Sequence, residues 1–110
     1  MTRTVLVVFV LAFAATAAAQ DTALIDKGKQ VYTAQKCQVC HSVGAVGNKK
    51  GALDTVGAKL KAEEIRQWIV AAPEMTAKTK AERKPPMKAY AHLPKEDVDA
   101  LVAYMASLKK

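Results

Sequence analysis

Two thiols stand three residues apart, with an imidazole directly after the second, in Cys37-Gln38-Val39-Cys40-His41. These are the only cysteines of the 110-residue chain. This spacing suits a chemistry in which both thiols add to the two vinyl groups on one edge of a haem. The following histidine then lies under the iron and coordinates it axially. The rival chemistries fit less well. A structural zinc site needs four ligands, and two adjacent ligands, Cys40 and His41, make poor tetrahedral geometry. A thiol-disulfide site places Cys-x-x-Cys at a helix start after a strand, whereas here the motif ends a helical pattern. A plain structural disulfide is the remaining alternative.

The N-terminus bears on this choice. Met1–Gln20 carries Arg3, then an uncharged apolar run from Val5 to about Ala15, then Ala17-Ala18-Ala19. This reads as an export signal over residues 1–19, cut after Ala19, with a single domain over 20–110. The run is shorter than the ~20 apolar residues of a membrane span, and no second such run follows. The mature chain is thus expected to be soluble, without a stable membrane span, and monomeric. It is placed outside the cytoplasmic membrane, in the periplasm if the source is a bacterium. A free dithiol there tends to oxidise, which favours the haem reading. Phe9 and Phe13 leave with the leader, so Tyr32, Trp68, Tyr90 and Tyr104 are the remaining aromatics. A chain this short buries little surface of its own, and a large apolar plate would fill its core.

The remaining pattern is helical, with no convincing alternating strand. Asp21 and Thr22 are suited to cap a helix from about Ala23 to Lys36, whose face is Leu24, Gly28, Val31, Tyr32 and Gln35. Residues 42–57, with Gly44, Gly47, Gly51, Gly57 and Asn48, read as loop. A second helix spans about Ala62 to Ala71, with Ile65, Trp68 and Ile69 on its face and Pro73 beyond its end. Met75 to Lys84 reads as either a short helix or an irregular stretch. Pro85-Pro86 enforces extended chain. A last helix begins at Pro94, with Glu96 and Asp97 in its first turn, and runs to about Leu108 on Val98, Leu101, Val102, Met105 and Leu108.

A second axial ligand is sought among Met75, Met87, Met105, His92 and the lysines. Met105 reads as core and Met75 as a surface or cofactor-packing residue. His92 reads as an exposed loop histidine. Met87 follows two prolines that restrict the loop before it binds, so it is the preferred candidate. A His/Met pair raises the haem potential.

These residues resemble the single-haem class I cytochromes c, over nearly the whole mature chain. The resemblance is carried by Gly28 and Tyr32, by Cys37-x-x-Cys40-His41, by Pro86-Met87, and by Leu101-Val102-Ala103-Tyr104. It implies an all-α, cytochrome c-like fold with crossed N- and C-terminal helices around one covalent haem c per chain. Cys37 and Cys40 are implied as attachment points, and His41 and Met87 as iron ligands. The family often has Gly-Pro-x-Leu after the motif, the proline carbonyl accepting a hydrogen bond from the ligand histidine. Here the stretch is Lys50-Gly51-Ala52-Leu53, and the Gly51 carbonyl is expected to take that role. Leu53, Ile65 and Trp68 are expected to wall the haem.

An iron held on both sides has no open position for substrate, and no catalytic constellation is present. The expectation is a soluble one-electron carrier in a respiratory or other oxidative chain, and not an enzyme. The alternatives are a cytochrome c subunit dedicated to a dehydrogenase or oxidase, or a ligand-binding haem protein. Loss of Arg3 with the leader takes the formal net charge from +7 to +6. Lys49, Lys50, Lys59, Lys61, Lys78, Lys80, Arg83, Lys84 and Lys88 fall in segments expected around the haem edge. Such a ring suits a redox partner with an acidic docking surface. Export and the lack of a recognition motif argue against nucleic acid.

Overall fold

The structure, a computed structural model, describes residues 14–110, with side chains from Asp21 onward. Most of the expected leader, residues 1–13, lies outside the described residues. Helix α1 runs Ala14–Ala34, a 3-10 turn covers Cys37–Val39, and a hairpin follows, β1 Ser42–Val43 and β2 Val46–Gly47. A second 3-10 turn spans Lys49–Gly51. Then come α2 Val56–Lys59, α3 Ala62–Val70, α4 Ala72–Thr79 and α5 Lys95–Ala106.

Helix α1 starts earlier than the cap at Asp21-Thr22 suggests. The preceding stretch is alanine-rich, and alanine is the best helix former, so the helix is already running there. The expected cut after Ala19 falls within it. The helix stops at Ala34, two residues short of the expected end. Gln35 N–H still donates to Val31 O at 2.9 Å, but Lys36 turns left-handed with φ 58°. That reversal sets the Cys37–Val39 turn off from α1.

The segment read as loop is more ordered than its glycines suggest. Ser42 pairs with Gly47 and Val43 with Val46, antiparallel. Gly44, at φ 60°, takes the first central position of the tight turn, where a primed hairpin turn needs positive φ. Four residues then wind α2. With only two residues per strand, the hairpin leaves no alternating pattern to detect.

Helix α3 matches its expected span to within a residue. Lys61 N–H donates to Glu64 Oε1 at 3.2 Å, closing its first turn. Pro73 follows the end of α3 and sits in the first turn of α4, where a missing N–H costs nothing. The open reading of Met75 to Lys84 thus resolves into the end of a helix and a loop. Helix α4 stops at left-handed Lys80, φ 55°.

The core forms where α1 crosses α5 and α3 packs beside them. Val31, Tyr32, Ile65, Ile69, Val98, Leu101, Val102, Tyr104 and Met105 are buried together. Gly28 lets the two long helices approach: a Cβ there would meet the Ala100 carbonyl oxygen and lie 2.6 Å from Tyr104 Cβ. Tyr32 and Tyr104 meet edge to face, with ring centroids 5.7 Å apart. At the α3–α5 contact, Arg66 Nη2 reaches Asp99 Oδ1 at 2.7 Å. Among the described residues, no helix is long and apolar enough to cross a membrane.

Candidate cofactor site

A cavity of about 780 Å³ opens beside this core, within the range of sites that enclose a small molecule or cofactor. Cys37, Cys40 and His41 line one part of it, and Pro85, Pro86 and Met87 another. Leu53, Ile65, Trp68, Leu101 and Met105 line it as well. Two distant parts of the sequence, the Cys-x-x-Cys-His turn and the Pro-Pro-Met loop, therefore meet at one apolar space.

The histidine is held from several sides. His41 Nδ1 lies 3.0 Å from Gly51 O. A carbonyl only accepts, so Nδ1 carries the proton and Nε2 keeps the lone pair that binds a metal. Gly51 is not in the cavity wall and reaches the site through His41. Burial pulls the His41 pKa down, the Gly51 hydrogen bond opposes this, and the positive charge of Arg83 adds to the fall. The imidazole is consequently neutral at neutral pH, as coordination requires.

Asn48, read from the sequence only as a loop residue, supports this arrangement. Its backbone N–H donates to His41 O at 2.9 Å. Its side-chain Nδ2 reaches Val39 O at 3.3 Å, and its Oδ1 accepts from Lys50 N–H at 3.1 Å. One residue thus ties the cysteine turn to the turn that bears Gly51. An asparagine ahead of Lys-Lys-Gly is a turn signal, but nothing local shows that the turn folds back on His41. Gly47, at φ 105°, is the other support: a side chain there would strike the His41 carbonyl.

The thiols differ in environment, Cys37 half-buried and Cys40 exposed. Burial pushes the Cys37 thiol pKa up. Burial likewise pushes Tyr32 up to about 12, with Cys37 adding to it. Tyr32 lines the cavity, and its buried hydroxyl has no hydrogen-bond partner among the described residues. An apolar wall, two thiols, a lone-pair nitrogen and a thioether suit a haem c.

The other ligand candidates lie elsewhere. Met75 is buried in α4 at 7% exposure, not at the surface, and is not among the residues lining the cavity. Its burial follows from the helix that sequence left undecided. His92 is exposed and tilts against Tyr90, with ring centroids 6.1 Å apart. Met105 is both core and cavity wall.

A cytochrome c family model matches residues 25–109. The chain belongs to the cytochrome c family. Membership implies haem c binding and haem-based electron transfer, on a small all-α cytochrome fold. This cytochrome has no match among curated proteins or among solved structures. The charge at its cavity is one-sided: Lys36, Arg83 and Lys88 line it, and among the described residues no acidic one does.

Proposed function

We propose that this cytochrome is an exported, soluble one-electron carrier that holds one haem c. In this reading Cys37 and Cys40 would carry the covalent links, and His41 and Met87 would hold the iron. The supporting observation is that these four side chains, remote in sequence on the Met87 side, line a single apolar cavity. A haem supplies the ferrous/ferric couple.

The chain's residues then have defined tasks. Gly51 fixes the His41 ring through Nδ1 and leaves Nε2 free to bind. Pro85 and Pro86 stiffen the loop that presents the weakly binding Met87 thioether. The apolar wall excludes water and keeps reorganisation on electron transfer small. With His41 and Met87 both holding the iron, the site would offer no position for a substrate, which is why a carrier and not an enzyme is proposed. The cationic lining, with exposed Lys49, Lys50, Lys78, Lys80 and Lys84, suits a partner that presents acidic residues. The Arg3, apolar-run and Ala17-Ala18-Ala19 sequence supports export, to the periplasm in a bacterium.

The reduced protein should give the same visible spectrum with and without carbon monoxide, because Met87 occupies the sixth position. A carbon monoxide adduct formed at neutral pH would contradict the carrier reading and favour a ligand-binding haem protein.

A further inference from the structure

Gly51 accepts the His41 hydrogen bond, and its bare face is covered by a guanidinium. A Cβ built at Gly51 would strike Arg83 Nη1 on one side and the Cys40 carbonyl oxygen on another, with Arg83 Cζ 2.9 Å away. Arg83 comes from the loop that leads to Met87, and it lines the cavity. It therefore connects the Met87 loop with the turn that bears Gly51. Among the described residues it makes no salt bridge or hydrogen bond, so no carboxylate neutralises it. It lines the same cavity as His41.

We propose that Arg83 is a positioning residue for His41: its guanidinium covers the His41–Gly51 hydrogen bond and sets a positive charge beside the imidazole that raises the reduction potential. The proposal rests on His41 being the axial ligand. Oxidation adds one positive charge to the site, and a fixed neighbouring cation opposes that addition. An arginine keeps its charge at every accessible pH, so the contribution is constant. Only glycine at position 51 leaves room for the planar group. The guanidinium also shuts water away from the Nδ1–H proton.

The test uses the haem-loaded protein with Arg83→Gln and Arg83→Lys, whose exposed side chains leave the core untouched. Redox titration should show a lower midpoint potential in Arg83→Gln. The ferric/ferrous ratio at fixed ambient potential should rise several-fold, up to about tenfold, which is ~59 mV for one electron. Arg83→Lys should keep most of the potential. Exchange of the His41 Nδ1–H proton, read by NMR of the ferrous protein, should quicken in both variants because neither has the planar cover. An unchanged potential in Arg83→Gln would overturn the proposal, as would an equal fall in Arg83→Lys or unaltered exchange in both. A parent chain that takes up no haem would remove the carrier reading and this one together. A haem-bearing parent with an indifferent Arg83→Gln would remove this one alone.

Discussion

Gly28 on α1 stands directly against Tyr104 on α5, so close that an added methyl carbon would lie 2.6 Å from Tyr104 Cβ. Replacing a mid-helix glycine by alanine ordinarily stabilises by roughly 0.5–1 kcal/mol. Here the overlap reverses the sign. Gly28→Ala should destabilise the haem-loaded protein by about 1–3 kcal/mol, the usual cost of overpacking. Denaturant unfolding should show a lower midpoint at unchanged slope.

Asp99 gives a stability that depends on pH. Hydrogen bonds from Lys95 and Arg66 hold its carboxyl below the ordinary carboxylate range. A depressed folded-state pKa stabilises the fold at pH above the unfolded value and loses that contribution as pH falls through the folded one. Asp99→Asn should therefore be less stable than the parent at neutral pH. The gap should close as the pH is lowered below the ordinary aspartate range. A gap that stays constant down to acid pH would mean that the ion pair is not its source.

Met87 and Met75 can be separated optically. Ferric protein should show a weak far-red band from sulfur-to-iron charge transfer. Met87→Ala should abolish it and admit carbon monoxide to the reduced form. Met75→Ala should keep the band, because Met75 is buried in α4 and is not among the residues lining the cavity. The same residue is buried, so Met75→Ala should cost stability, about 2–5 kcal/mol.

The cationic cavity mouth should show itself in salt dependence. Reduction by an anionic small-molecule reagent should slow as ionic strength rises, and reduction by a cationic one should quicken, because salt screens the attraction and the repulsion alike. Lys88→Glu should narrow the difference between the two reagents. Equal salt responses for both would remove the steering.

What sequence showed of this molecule depended on how local each signal was. The Cys37–His41 turn could be read directly because its chemistry is contained in five adjacent residues. Helices α3 and α5 were legible from their apolar periodicity and acidic first turns. The hairpin at residues 42–47 was not, because two residues per strand leave no period. The start of α1 was misplaced because Asp21 and Thr22 look like a cap, while the alanines before them carry the helix through. At the site, Pro86-Met87 stood out by its own stiffness. Asn48 could be read only as a loop residue and Arg83 only as one cation of the ring expected around the haem edge, since the approach of each to His41 or Gly51 is long-range and no local pattern encodes it.

Covalent attachment through Cys37 and Cys40 is the most direct test of the whole reading. The full-length gene product, made in a cell that attaches haem to Cys-x-x-Cys-His, should be extracted with acidified acetone. The colour should remain with the chain, whose mass should exceed that of the same polypeptide without cofactor by one haem. In the Cys37→Ala, Cys40→Ala double variant the colour should pass into the solvent. Haem extracted from the parent, or a parent mass equal to the bare chain, would contradict it.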